Sequence, residues 1–142
     1  MHPTIEEQLH GALRLLDAVE DESDLPTASQ ELLANVRRLL GKVDRSWAAQ
    51  LPFHTADNAT LGELLVRTGS LVGPGLAAEV DAVVQSALVG SPLDAPAVAT
   101  RNAGLRTLLS RVITELPRSP EADAARTEIC SYLRHRVDVD PT

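Results

Sequence analysis

Apolar residues recur along this chain every three or four positions, which is the period of an amphipathic α-helix. No segment shows the sustained alternation of apolar and polar residues that is typical of a half-buried β-strand. Prolines and glycines divide the chain into about six such helical segments. The pattern predicts an all-α protein, a single-domain antiparallel helical bundle of about six helices that spans residues 1–142 with short connections.

Capping patterns predict where these helices begin. Three segments, 4–7, 27–30 and 60–63, start with Thr and end with Glu or Gln, which is the pattern of a capping box. For the third predicted helix, Thr55 and Asp57 compete with Thr60 as the N-cap. Asp94 is predicted to cap the fifth helix and Ser119 the sixth. Pro at 74 and 120 suits the first position of the helix that it opens.

Two residues of the second predicted helix, which starts after residue 26, interrupt its helical pattern. Gly41 lies inside the apolar stripe, where it weakens a helix by about 1 kcal/mol relative to Ala. We expect a neighbouring helix to pass close to it. Pro52 is expected to end the helix, because the residue before a proline is pushed out of the α region. The predicted inward stripe of this helix comprises Leu32, Leu33, Val36, Leu39, Leu40, Val43 and Trp47.

Composition excludes several classes of function. The net charge of −7 argues against nucleic-acid binding, because phosphates repel an acidic surface. No P-loop, dinucleotide fingerprint or Gly-x-Ser-x-Gly pattern occurs, so we expect no cofactor. No N-terminal signal pattern and no apolar run of about 18 residues is present, which predicts a cytoplasmic protein outside the membrane. Cys130, the only cysteine, is expected to be a small core residue.

A metal site has one candidate set. Glu7 and His10 have the spacing of a Glu-x-x-His motif, and His54 and Asp57 have a comparable spacing. If the helices that carry them were adjacent, these four side chains would converge. A di-iron bundle needs two Glu-x-x-His motifs, however, and Glu7 is explained by its capping box. The sequence therefore favours no metal site.

Rare side chains gather in segment 47–58, which holds the only Trp and the only Phe of a chain with 2% aromatic residues. In a structural interpretation, Trp47 and Phe53 plug the end of the bundle, while His54 and Asn58 satisfy backbone groups at helix ends. In a functional interpretation, the two aromatic residues anchor a ligand or partner, and His54, Asp57 and Asn58 supply polar contacts. Both interpretations stay open, and neither names a catalytic residue.

Three segments carry a resemblance to a known family. They are residues 27–40, the run Leu-Pro-Phe-His at 51–54, and the run Asp-Asn-Ala-Thr-Leu-Gly at 57–62. Here the chain resembles a family of small bacterial helical proteins of unknown function, encoded beside aminoglycoside-phosphotransferase-like kinases and acyl-CoA dehydrogenases. The chain departs from the family's C-terminal pattern, a basic helix followed by Asp-Asn-Pro. The resemblance implies an accessory role and supplies no catalytic residue.

The leading functional hypothesis is a non-enzymatic accessory or interaction protein, whose partner is a phosphotransferase-like or acyl-CoA-metabolising enzyme. It predicts an exposed apolar patch, or a homodimer formed through a helix face. The alternative is a small-molecule-binding bundle or an enzyme that uses segment 47–58. It predicts an enclosed pocket lined by His54.

Overall fold

The described part of the chain forms five α-helices. A computed structural model describes residues 3–22 and 24–141, with only the backbone described at Glu22. Within these residues there is no β-strand, so the predicted all-α class is confirmed. The helices are α1 (Ile5–Glu22), α2 (Thr27–Gly69), α3 (Pro74–Gln85), α4 (Ala95–Glu115) and α5 (Pro120–Val139).

Helix α2 passes through Pro52, so the expectation that this residue ends a helix is wrong. The second and third predicted helices are one helix of 43 residues, which leaves five helices in the described chain instead of six. A proline inside a helix removes one backbone hydrogen bond and costs about 3 kcal/mol. Because tertiary contacts supply most of a helix's stability, the buried Leu61, Leu64 and Leu65 later in the same helix offset this local cost.

Three of the predicted caps are confirmed, at Thr4, Asp94 and Ser119. Thr4 donates its backbone N–H to Glu7 Oε2 at 2.7 Å, and Glu7 donates its own N–H to Thr4 Oγ1 at 3.2 Å. Asp94 accepts the N–H of Ala97, and Ser119 accepts the N–H of Ala122. Each side chain satisfies a backbone donor that has no partner inside its helix.

The other two predicted capping boxes are not formed. Thr60 lies inside α2, where its hydroxyl donates to the carbonyl of Ala56 at 3.2 Å. Gln30 donates its side-chain amide to the carbonyl of Leu25 at 3.1 Å instead of closing a box with Thr27. Thr55 and Asp57 also lie inside α2 and cap no helix. A capping pattern therefore marks a helix start only where the preceding residues leave the helix.

The chain folds into two compact units, whose boundary lies inside α2. Unit 1 contains the described residues up to Ala48, and unit 2 contains Ala49–Pro141. Helix α2 contributes residues 27–48 to unit 1 and residues 49–69 to unit 2. The prediction of a single domain stays a prediction.

The apolar core belongs to unit 2. Of the described residues, every buried apolar side chain lies at Leu61 or beyond it. The core cluster draws on α2, α3, α4 and α5, and it comprises Leu61, Leu64, Leu65, Leu76, Val80, Leu105, Leu108, Leu109, Val112, Leu116, Ala122, Ala125, Ile129 and Tyr132.

Unit 1 is a pair of helices that contact each other through charged side chains. Arg37 on α2 forms ion pairs with Asp17 and Glu20 on α1, and His10 lies 3.4 Å from Asp44. Early residues of α1 thus meet late residues of this part of α2. Four of the seven residues predicted to face inward are exposed, since Leu32, Val36, Leu39 and Val43 keep between 43% and 66% of their surface accessible. The other three, Leu33, Leu40 and Trp47, are partly buried.

The predictions for two residues, Gly41 and Cys130, are wrong. Gly41 has no neighbouring helix close to it among the described residues, since a Cβ there would meet only the side chain of Arg45. The close approach occurs at Gly69, where a Cβ would lie 3.0 Å from Val80 Cγ1. Cys130 is exposed and not a core residue.

Candidate functional site

A buried carboxylate is the centre of the polar cluster in unit 2. Asp57 projects from α2 and is only 7% exposed. Its Oδ1 accepts the Tyr132 hydroxyl at 2.8 Å, and its Oδ2 accepts Asn102 Nδ2 at 2.7 Å and Arg136 Nε at 3.1 Å. Donors from α4 and α5 thus converge on one side chain of α2. We call these four residues the Asp57 cluster.

The positive charge in the cluster is Arg136, whose side chain is 13% exposed. Besides Asp57, it contacts Asp140 Oδ2 through Nη1 at 3.3 Å. Its guanidinium carbon also lies 5.2 Å from the centre of the Phe53 ring, within the range of a cation–π interaction. A buried charge needs such partners, because leaving water costs an ion several kcal/mol.

Asn102 extends the cluster to the neighbouring residue of α2. Its side-chain amide nitrogen donates to Asn58 Oδ1 at 3.0 Å as well as to Asp57. Asn58 in turn donates to the backbone carbonyl of Val98 at 3.1 Å. The two amide groups therefore tie α2 to α4, and the buried Asn102 has partners for both of its N–H donors.

Tyr132 is held as a neutral phenol. Burial is the main cause that raises the pKa of its hydroxyl above the ordinary value, and the hydrogen bond to Asp57 adds to it. Arg136 and Arg106 act in the opposite direction by Coulomb attraction to the phenolate. Because burial disfavours the charged form, Tyr132 serves here as a hydrogen-bond donor.

His54 and Phe53 lie beside the cluster. Their ring centres are 5.2 Å apart with a 56° angle between the ring planes. The Nδ1 atom of His54 is buried and has no hydrogen-bond partner among the described residues. His54 is only partly buried as a whole. It therefore neither caps a helix end nor joins the hydrogen bonds of Asp57.

Two concave spaces adjoin the cluster. A groove of about 560 Å³ is lined by Tyr132 and Arg136 among others, and the space next to Asp57 itself is much smaller. The cavity bounded by Phe53, Asp57, Tyr132 and Arg136 has a volume of about 70 Å³, whereas ligand pockets usually have roughly 300–1,000 Å³. Asp57 is buried, accepts three hydrogen bonds and pairs with Arg136, which is the environment of a structural carboxylate. The arrangement is suited to tie α2, α4 and α5 together.

Larger concave surfaces in unit 2 are open grooves. One of about 570 Å³ is lined by Asn58, Glu63, Arg67 and Arg101 among others. Its two guanidinium groups already have partners: Arg67 bonds to Glu128, and Arg101 bonds to the carbonyl of Val84. Asn58 is the member of the predicted site that lines this groove.

Four of the predicted site residues lie in unit 2 and one lies in unit 1. Trp47 belongs to unit 1 and is partly buried. Asp57 and Asn58 are joined through Asn102, while Phe53 and His54 contact each other. All of them lie inside α2. The structural interpretation placed them at the ends of two helices, and no helix ends there.

The candidate metal ligands have other roles. Glu7 accepts the N–H of Thr4, His10 lies against Asp44, and Asp57 is enclosed by its three donors. Among the described residues, no three His, Cys, Asp or Glu side chains lie close enough together to hold a metal ion.

Sequence reasoning missed Asn102, Tyr132 and Arg136, although a signal was present. On α4, Asn102 continues the buried series Val98, Leu105 and Leu109 at spacings of four and three. Arg136 continues the series of α5 four residues after Tyr132, and Asp57 precedes Leu61 by four. Polar residues at core positions of three helices predict a buried polar cluster.

Among the described residues, no helix combines the length and the apolar character that crossing a bilayer requires. The chain matches no family model, and neither a curated protein nor a solved structure is significantly similar to it.

Proposed function

We propose that this protein is a non-enzymatic interaction protein that binds a helical partner through unit 1. The observation that carries the proposal is the row Leu32, Val36, Leu39 and Val43, which we call the α2 stripe. Its members are 66%, 43%, 63% and 46% exposed. They follow one another at spacings of four, three and four residues, which is the spacing of a helix seam that packs against another helix.

The α2 stripe is distinct from the surface that α2 turns toward α1. Arg37 and Asp44 make the contacts to α1, and each of them directly follows a stripe residue. One residue corresponds to a rotation of about 100° around a helix. The stripe therefore lies beside the α1 contact and is left for a different binding partner.

Unit 1 exposes apolar side chains that such a partner would cover. None of its buried described residues is apolar, and its ion pairs involve exposed or half-exposed side chains. Exposed ion pairs contribute at most about 1 kcal/mol each. Ile5 and Leu15 on α1 are also 54% and 71% exposed. Exposed apolar side chains that follow one another along one face of a helix are typical of interaction sites.

The chemistry of the Asp57 cluster supports a non-enzymatic role. Its carboxylate accepts three hydrogen bonds and pairs with Arg136, its tyrosine is held neutral, and the cavity next to Asp57 has only about 70 Å³. The resemblance in residues 27–40 supports an accessory role, in which the protein assists a phosphotransferase-like or acyl-CoA-metabolising enzyme. Most of the α2 stripe lies within that segment. We also propose that the protein is cytoplasmic and that it binds no nucleic acid, because its net charge is −7.

Site-specific photo-crosslinking tests this function. A benzophenone amino acid replaces Leu39 in the full chain inside cells, and the control carries it at Val89, which is 90% exposed in unit 2. We expect crosslinked protein from position 39, identified by mass spectrometry, and a loss of that adduct when Leu32→Glu is added. Adducts of equal yield from positions 39 and 89, or none from 39, would contradict the proposal.

A further inference from the structure

We infer that the occupant of the α2 stripe is a second copy of this chain, packed against it in the opposite direction. This inference rests on the proposed function and names its partner. It follows from three properties of residues 27–48: the symmetry of the stripe, the charges along its edge, and the amount of apolar surface exposed.

The residue spacing of the α2 stripe is the same in both chain directions. Read from either end, it has spacings of four, three and four residues. Two copies related by a twofold axis therefore bring Leu32 opposite Val43 of the other copy, and Val36 opposite Leu39. A twofold interface requires this kind of self-complementary patch.

The charges along one edge fit the same pairing. Glu31 directly precedes Leu32, and Lys42, the only lysine of the chain, directly precedes Val43. Both are exposed, and neither has an ion-pair partner among the described residues. In the antiparallel pairing Glu31 of each copy lies at the end where Lys42 of the other copy lies. Opposite charges then meet twice, once at each end of the pairing.

The exposed apolar area has the size that a dimer needs. Covering a largely exposed aliphatic side chain removes on the order of 100 Å² from water. The four stripe residues together then supply roughly 400 Å² per copy. A standard interface buries about 800 Å² per partner, of which somewhat more than half is apolar. A second hairpin therefore covers this surface without help from a further protein.

Sedimentation equilibrium of the purified full chain tests the inference. We expect a concentration-dependent dimer that Leu39→Glu converts to a monomer, whereas the control Val89→Glu leaves it intact. Glu31→Lys and Lys42→Glu are each expected to raise the dimer Kd by about tenfold at low salt, because each places like charges opposite one another. The double exchange, Glu31→Lys with Lys42→Glu, restores the wild-type Kd.

The charge exchange separates a second copy from other occupants. A wild-type protein that stays monomeric at about 100 μM, or a dimer that the double exchange does not restore, overturns the inference. If position 39 then still crosslinks to a different protein in cells, the proposed function stands and only the identity of the partner fails. If neither a dimer nor a crosslink forms, both fail. Circular dichroism of each variant establishes that its helices are intact.

Discussion

Asp57 is the residue that links three helices of unit 2 through hydrogen bonds. Its carboxylate accepts hydrogen bonds from Asn102, Tyr132 and Arg136, which reach it from α4 and α5. In a core built mainly of Leu, Val and Ala, such a cluster costs free energy unless every polar group has a partner. Here the described groups around the carboxylate do have partners, so the cluster can hold one arrangement of the helices.

Removing the carboxylate tests this role. Asp57→Ala leaves Arg136 buried without its main counter-ion, and we expect a loss of about 3 kcal/mol in the free energy of unfolding. His54→Ala removes a buried nitrogen that has no partner among the described residues and is expected to cost under about 1 kcal/mol. Urea unfolding followed by circular dichroism measures both.

The matched control is Glu63→Ala, whose side chain is 76% exposed on the same helix and is expected to change stability by less than about 0.5 kcal/mol. Equal losses for Asp57→Ala and Glu63→Ala would refute the structural role. A gain in stability for Asp57→Ala would indicate a functional residue that is kept at a cost.

Tyr132 makes the cluster sensitive to alkaline pH. Its pKa is raised in the folded state, so the folded protein keeps the phenolic proton at a pH where the unfolded chain has lost it. The stabilisation is fully present below the unfolded pKa of about 10 and is lost as the pH rises through the higher pKa of the folded state. Since Tyr132 is the only tyrosine, absorbance at 295 nm reports this residue alone.

We expect its titration midpoint to lie above pH 10 in the folded protein and near 10 in denaturant. The free energy of unfolding is expected to be level below pH 10 as far as this residue is concerned, and Tyr132→Phe should remove its contribution to the pH dependence above that value. A midpoint of 10 or lower in the folded protein would show that the hydroxyl is not buried as described.

At the scale of helices, the sequence predicts those features that depend on neighbouring residues. The caps at Thr4, Asp94 and Ser119 are predicted correctly, because each follows a loop and satisfies backbone groups of its own helix. The predicted box at residues 60–63 is wrong, because α2 is already helical when it reaches Thr60. The residues around Pro52 predict a helix end, because the local sequence does not show the tertiary packing that stabilises a longer helix.

The polar cluster is only partly predictable from the sequence. The helical phase of α4 places Asn102 at a core position, and that of α5 places Arg136 at one. Which polar residues meet depends on how the helices are arranged around the core, and a single sequence does not specify that arrangement. The gathering of rare residues in segment 47–58 leads to Asp57 and Asn58 but not to their partners.

Two glycines of α2 test the packing that the structure assigns to its two parts. Gly41→Ala places a Cβ near only the flexible end of Arg45, so we expect a gain of about 1 kcal/mol from helix propensity. Gly69→Ala places a Cβ 3.0 Å from Cγ1 of the fully buried Val80, and we expect a loss of about 1–2 kcal/mol. Thermal unfolding of the two variants in parallel measures this. Stabilisation by both substitutions would mean that α2 and α3 do not meet at Gly69.

At the scale of the whole molecule, the two units differ in what they bury. Unit 2 has a continuous apolar core and a satisfied polar cluster, whereas unit 1 exposes much of its apolar surface. The pattern of residues 32–43 predicts a face turned toward a core inside the chain. It is equally the pattern of a helix that packs against another molecule, and periodicity alone does not distinguish the two cases.

Hydrogen exchange measured by mass spectrometry at two protein concentrations tests the central claim, that unit 1 completes its packing with another copy. Between about 1 μM and 100 μM, we expect amides in residues 27–48 to exchange at least several-fold more slowly at the higher concentration, because association protects them. Amides in residues 105–112 of the unit 2 core should exchange at the same rate at both. Exchange in residues 27–48 that does not change with concentration would contradict the claim.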